Sequence, residues 1–265
     1  PKMIKNENNW DIVLCGSNFM VGLKSDSSIW SWGDYEEGSL GYGIKKIISK
    51  PLLIEKNNKW TSFSCNYYHT LAVKSDGTLW GWGLNYYGQL GNNDFLPQFY
   101  PIQIGNDNDW LKVECGGYFS LAIKKDGTLW AWGDNRYGIL VHYLWSENNY
   151  PFQISTEKNW SSISCGESHA CAIKNDGTLW AWGYNSLGQL GDNSTDTKGI
   201  LTQIGMDNNW VKVSCGMNYT LAQKSDGTLW AWGLNYYLAD SGYDEYIKSI
   251  VPVQFSSDKD WIDFS

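Results

Sequence analysis

The sequence predicts an all-β propeller of four-stranded antiparallel blades, and three observations carry that expectation. Every tryptophan except Trp145 falls on a 50-residue lattice. One series is Trp10, Trp60, Trp110, Trp160 and Trp210, with Trp261 one residue late; two more lie at Trp30/Trp32, Trp80/Trp82, Trp130/Trp132, Trp180/Trp182 and Trp230/Trp232. Each copy holds several short stretches with strand alternation and none with helical period, which at this repeat length indicates propeller blades rather than a helical solenoid. Four copies also share an Asp-Gly pair at one phase, Asp76-Gly77, Asp126-Gly127, Asp176-Gly177 and Asp226-Gly227, a strong short hairpin signal. The chain therefore reads as one array over residues 1–265, five full copies with partial copies at its ends and no linker.

Four strands can be placed in each copy. The first follows the lattice tryptophan, as in Leu111-Lys-Val-Glu-Cys115-Gly116, where Val113 and Cys115 alternate with Lys112 and Glu114. The second runs over 69–74 and the third over 78–83. The Asp-Gly pair between them predicts a tight primed turn with positive φ at both central residues; the first copy has Asp26-Ser27 instead. After a long polar loop comes a fourth strand led by proline, Pro101-Ile-Gln-Ile104, with counterparts at Pro51, Pro151 and Pro252. Proline at a strand start suits the outer edge of a blade. The lattice tryptophans, Trp80, Trp130 and Trp180 among them, are expected in the core.

The ends of the chain carry a further expectation. Pro1-Lys-Met-Ile4 leading to Trp10 matches Pro51-Leu-Leu-Ile54 leading to Trp60, and Trp261 opens another first strand. In a closed five-blade ring these segments would compete for one slot, so an incomplete ring is expected, finished by missing sequence or another chain. A closed ring with one displaced end is the alternative.

A net charge of −8 argues against binding to phosphate backbones, so no nucleic-acid partner is expected. No stretch is long and apolar enough to cross a bilayer, and no basic, apolar leader opens the chain, so neither a membrane partner nor a signal peptide is expected. The chain starts at Pro1, as a trimmed or processed chain does. Cys15, Cys65, Cys115, Cys165 and Cys215 recur once per copy, which spreads them round a ring and reads as a set of small buried residues. Without pairs to bridge, they favour a reducing compartment such as the cytoplasm, with a secreted bacterial effector as the other setting. Cys171 replaces the leucine of positions 71, 121 and 221 and reads as core. No C-x-x-C spacing is present, and neither a metal nor a cofactor is expected.

With these residues in hand, Asp176-Gly-Thr-Leu-Trp-Ala-Trp-Gly183, Asn185, Gly188-Gln-Leu-Gly191, Cys165-Gly166 and His169 resemble the repeat of the regulator of chromosome condensation family, in the form common in bacterial members. The resemblance covers essentially the whole chain. It implies a β-propeller, usually of seven blades, but no single function, because the fold serves as a nucleotide exchange factor for a small GTPase, as a proteinaceous β-lactamase inhibitor and as a general interaction module. Copy three departs from the pattern at Gly138-Ile-Leu-Val141, copy five at Leu238-Ala-Asp-Ser241, and the histidine position holds Phe19, Phe119 and Tyr219.

No catalytic constellation emerges, and the chain is expected not to be an enzyme. His69 and His169 occupy equivalent positions two copies apart and read as residues hydrogen-bonded to backbone. What varies between copies is loop surface rich in aromatic residues. Candidate partner-binding residues are Trp145, Arg136, Tyr137, Tyr143, Tyr150, Tyr86, Tyr87, Tyr236, Tyr237 and Tyr243; Trp145 is the one tryptophan off the lattice and Arg136 the one arginine in the chain. Tryptophan and arginine are the side chains most enriched at interface hot spots, and rigid rings give affinity at low entropy cost. The leading expectation is a non-enzymatic propeller that binds a protein partner, identity open, through these loops. The alternatives are a guanine nucleotide exchange factor-like regulator of a small GTPase and a carbohydrate-binding, lectin-like propeller.

Overall fold

The computed structural model describes residues 9–43, 46–55, 59–141, 146–235, 247–256, 258–259 and 261. Five four-stranded antiparallel sheets follow one another along the chain, each with its strands in sequential order. Blade 1 holds β1 (Trp10–Cys15), β2 (Phe19–Lys24), β3 (Ile29–Gly33) and β4 (Ile48–Glu55). Blade 2 holds β5 (Trp60–Asn66), β6 (His69–Lys74), β7 (Leu79–Gly83) and β8 (Gln98–Ile104). Blade 3 holds β9 (Trp110–Cys115), β10 (Phe119–Lys124), β11 (Leu129–Gly133) and β12 (Asn148–Ser155). Blade 4 holds β13 (Trp160–Cys165), β14 (His169–Lys174), β15 (Leu179–Gly183) and β16 (Lys198–Gln203). Blade 5 holds β17 (Trp210–Cys215), β18 (Tyr219–Lys224), β19 (Leu229–Asn235) and β20 (Ile247–Ser256). This is a β-propeller, and among the described residues the one helical segment is a 3-10 turn at Glu36–Gly38.

The hairpin between second and third strands differs from the expected primed turn. Gly77 N–H donates to the Lys74 carbonyl at 2.8 Å and Lys74 N–H donates to the Thr78 carbonyl at 3.0 Å, which closes a three-residue loop. Gly77 has φ 84° while Asp76 keeps negative φ. The aspartate is used for its side chain: Asp76 Oδ1 accepts from the Thr78 N–H at 3.0 Å and from its hydroxyl at 2.7 Å, and Thr78 Oγ1 in turn accepts from Trp80 Nε1 at 2.9 Å. The recurring Asp-Gly-Thr-x-Trp string is thus an Asx-type clamp that fixes the first ring of the third strand. The proline also sits inside its strand rather than at the start. Gly81 pairs with Ile102 and Gly83 with Gln98, so residues 99–101 bulge opposite Trp82. A bulge is where a residue without an N–H does least harm to the ladder.

Blades pack face to face, and each described interface repeats one set of positions. Between blades 2 and 3, Leu71, Val73, Leu79 and Leu90 meet Trp110, Val113, Cys115, Ala122 and Trp132. The fully buried rings are Trp82, Trp132, Trp182 and Trp232, the second of each pair. Trp80, Trp130 and Trp180 pack against the same clusters but are less deeply buried than the second rings. A lysine packs on each of these rings: Lys74 Nζ lies 3.4 Å from the Trp80 ring centre and 4.7 Å from that of Trp60, and Lys24, Lys124, Lys174 and Lys224 repeat the arrangement. The lysine is itself buried, its ammonium held against the faces of the two rings.

Copy three keeps the leucine of its altered glycine motif buried, Leu140, but places Val141 at φ 53° where Gly41, Gly91 and Gly191 have φ 72°, 78° and 76°. A β-branched residue in the left-handed region is strained. Val141→Gly should therefore raise stability by about 1 kcal/mol in chemical denaturation, net of glycine's larger unfolded-state entropy; a loss of stability would show that the valine side chain contributes more than the strain costs.

The first strands stand innermost, β5 against β9, β9 against β13 and β13 against β17, and among the described residues no comparable packing returns from β17 to β1. The face of β1 that would meet a preceding blade is open: Val13 is 40% exposed where its counterpart Val113 is 2% exposed. At the other end of the array, Gln223 replaces the aliphatic residue of Leu23, Val73, Ile123 and Ile173, and donates to the Trp261 carbonyl at 3.2 Å.

Candidate functional site

Chain direction puts two kinds of loop at the same end of every blade: the turn leaving the first strand and the long loop leaving the third. They are tied together by backbone hydrogen bonds, Leu84 N–H to the Tyr68 carbonyl at 2.9 Å and Asp134 N–H to the Tyr118 carbonyl at 2.9 Å. This end carries a continuous set of rings across blades 2 and 3. Tyr67 and Tyr68 have ring centres 6.2 Å apart, Tyr67 stacks on Tyr118 at 5.7 Å and 11°, and Tyr118 meets Tyr87 at 4.9 Å. The Arg136 guanidinium covers the far side, 5.0 Å from the Tyr87 ring centre and 6.0 Å from Tyr118. One Asp134 carboxylate oxygen accepts from both Nε and an outer nitrogen of Arg136 at 2.6 Å, which holds the guanidinium in place. Tyr137, next in sequence, packs at 4.8 Å on Tyr184 of blade 4.

Tyr67 and Tyr118 stay phenols at neutral pH. Burial pushes the Tyr67 hydroxyl up, and so does its hydrogen bond to the Glu167 carboxylate; burial likewise raises Tyr118. Among the described residues the surface is an aromatic ledge with a cation at one side and Glu167 at the other. Its chemistry is stacking, desolvated area and hydrogen bonding.

Of the expected site residues, the structure brings together Tyr87, Arg136 and Tyr137. Tyr86 is exposed beside them and donates from its hydroxyl to Glu37 of blade 1 at 3.0 Å. Tyr150 is exposed on β12, the outer strand of blade 3, and makes no ring contact with the ledge. Trp145, Tyr143, Tyr236, Tyr237 and Tyr243 lie outside the described residues. Tyr67, Tyr68, Tyr118 and Tyr184 escaped the sequence reading. The signal was present at the turn: positions 67, 68 and 118 are aromatic where other copies have Ser17, Asn18, Ser168 and Asn218.

The first-strand turns also line a cavity of about 270 Å³ that touches Cys15, Ser17, Tyr67, Glu167, Cys215 and Met217 from four blades. Neither described histidine is simply bonded to backbone. His69 Nε2 pairs with the Ser120 hydroxyl at 3.1 Å and His169 Nε2 with that of Thr220 at 3.0 Å, each across a blade interface.

A family model described as the RCC1-like domain matches residues 1–198, and models of the regulator of chromosome condensation (RCC1) repeat match 176–223 and 210–237. The chain belongs to the RCC1-like domain family. Among solved structures this RCC1-like chain is similar to human WBSCR16, with 18% identity, 95% of this chain and 67% of that one covered, and a TM-score of 0.81. It is similar to yeast RCC1 (Prp20) in its structure bound to Kap60, with 18% identity, 92% and 63% covered, and a TM-score of 0.76. It is similar also to Saccharomyces cerevisiae Prp20p, described with its binding properties to Gsp1p and histones, with 20% identity, 91% and 64% covered, and a TM-score of 0.75. The chain thus spans about two thirds of the length of these relatives, and at such identities the likeness is one of fold. No curated protein sequence matches it.

Proposed function

We propose that this RCC1-like chain is a non-enzymatic interaction propeller that docks a protein partner on the loop end of blades 2 to 4. The observation that carries the reading is Arg136: its guanidinium lies against Tyr87 and Tyr118, is fixed by Asp134, and its side chain is still 51% exposed. An arginine already ordered on an aromatic ledge loses little entropy on binding and offers area and donors together, which is the composition of an interface hot spot. Protein partners of the fold support it: Prp20 is described with Kap60, and with Gsp1p and histones.

The test begins with affinity capture from native lysate and proceeds to titration of the recovered partner. Arg136→Ala and Tyr118→Ala should each weaken binding by about 2 kcal/mol with the thermal transition nearly unchanged, while Tyr150→Ala on the outer strand should change little. Equal affinity for the wild type and the Arg136/Tyr118 double variant would remove the site from this face. Capture of a small GTPase whose nucleotide release the chain accelerates would put an exchange factor in place of this reading.

A further inference from the structure

One blade interface differs chemically from the rest. His169 and Cys171 of β14 and Cys215 of β17 bring one potential ligand atom each to within 4.8 Å of one another, the one such cluster among the described residues. His169 and Cys171 are fully buried. The His169 ring has a defined tautomer: the Thr220 hydroxyl gives its proton to the Gln189 carbonyl at 2.8 Å, so it accepts from Nε2–H, and Nδ1 keeps a lone pair with no hydrogen-bond partner. A ring nitrogen whose opposite member is held by a hydroxyl and, behind it, a carbonyl is oriented as metal-bound histidines are.

The repeat supplies an internal control. His69 has the same relay, Nε2 to the Ser120 hydroxyl at 3.1 Å and that hydroxyl to the Gln89 carbonyl at 2.7 Å, and its Nδ1 is likewise unpartnered. There the neighbour is Leu71, and the one thiol at the position of Cys215, Cys115, donates to the Ser64 carbonyl at 3.2 Å. At the blade 4–5 interface the leucine has become Cys171, which makes a three-ligand set of two sulfurs and one nitrogen. The set is not sealed in: Cys215 is partly exposed and lines the cavity between the first-strand turns, with Met217 on the same wall. An ion can arrive from that cavity, and a fourth ligand can be taken from it.

We propose that His169, Cys171 and Cys215 form a binding site for a thiophilic d10 cation, Zn2+ or Cu+. Both ions favour this donor set: Zn2+ with two thiolates is charge-neutral and accepts a fourth ligand in a tetrahedron, whereas Cu+ is satisfied by soft sulfur at low coordination. Bonds of about 2.3 Å to sulfur and about 2.0 Å to nitrogen place ligand atoms within about 4 Å of each other, so the cluster closes on an ion by small side-chain adjustments. Hard oxygen-seeking ions are disfavoured, since no carboxylate belongs to the set.

Reduced, chelator-treated protein should be titrated with Zn2+ against a chromophoric competitor and with Cu+ against a Cu+-specific one, each with Cys171→Leu, Cys65→Ala and His69→Phe alongside. Leucine at 171 is the residue this chain uses at 71, 121 and 221, so that variant should fold, as near-ultraviolet circular dichroism will show. Wild type should hold one equivalent of the preferred ion; Cys171→Leu should lose it by at least tenfold in affinity, as loss of a ligand does, and the other two variants should keep it. Co2+ as a probe should give a thiolate-to-cobalt charge-transfer band that Cys171→Leu abolishes, a signature that a packing role would not produce. No single-equivalent binding of either ion, or equal binding by a folded Cys171→Leu, would overturn the site.

Discussion

Replacing Trp132 by alanine should cost roughly 3–5 kcal/mol of stability, the range found when a buried aromatic ring is deleted and its cavity remains. The ring is fully buried between blades 2 and 3, and its Nε1 donates to the Gln89 carbonyl at 2.8 Å. It contacts Trp110 edge-on with centres 6.1 Å apart, so the void would open in the middle of an interface that both blades need. Trp130, two residues earlier, also meets Trp110 edge-on, at 5.6 Å, but should cost less when replaced, because it is partly exposed and its polar partners are the Lys124 ammonium at 4.5 Å and the Thr128 hydroxyl at 2.9 Å. Denaturant unfolding followed by circular dichroism separates the two. A larger loss for Trp130→Ala would mean that the lysine sandwich, not the second ring, is the main clamp of the repeat.

The second large effect is a pH dependence set by Glu114. It stands on β9 at the position that is Leu14, Ser64, Ser164 and Ser214 in the other blades, where a carboxyl is held among innermost strands. Desolvation raises its pKa to about 7 against an ordinary 4.5, with the Ser64 hydroxyl, which donates to Glu114 at 3.0 Å, working in the other direction. A carboxyl with a raised native pKa binds more protons folded than unfolded, so stability is greatest below the ordinary value, falls as pH rises from about 4.5 to about 7, and then levels off. Glu114→Gln keeps an acceptor for Ser64 and removes the charge. The variant should lose most of that decline and exceed the wild type by about 2 kcal/mol at pH 8. Identical pH profiles from pH 5 to 8 would show that Glu114 is solvated well enough to ionise without cost.

The repeat made most of the fold legible. A 50-residue lattice of tryptophans names the blade, its strands and their order, because identical segments must meet identical neighbours. Finer points failed where a side chain had two uses. Asp76 looked like a primed-turn residue, but its carboxylate serves Thr78 and through it Trp80, so the backbone at Asp76 stays at negative φ. The Trp80 series reads as core from its spacing alone; the lysine that packs on each ring sits at the end of the second strand, and its approach is visible only once the strands pair. The site followed the same rule. Arg136, Tyr87, Tyr67 and Tyr118 all depart from the repeat, but that they meet on one ledge is a matter of contact between blades, which sequence spacing within one copy does not encode.

Hydroxyl-radical footprinting of the captured complex reads directly whether a protein partner sits on the ledge of Tyr67, Tyr87, Tyr118 and Arg136, since tyrosine and tryptophan side chains are its reporters. The expected result is protection of Tyr67, Tyr68, Tyr86, Tyr87, Tyr118, Tyr137 and Tyr184 on complex formation, with Tyr100 and Tyr150 on the outer strands oxidised as in the free chain. Unchanged oxidation of Tyr87 and Tyr118, with protection confined to the hairpin end of the blades or to the open face of β1, would contradict it.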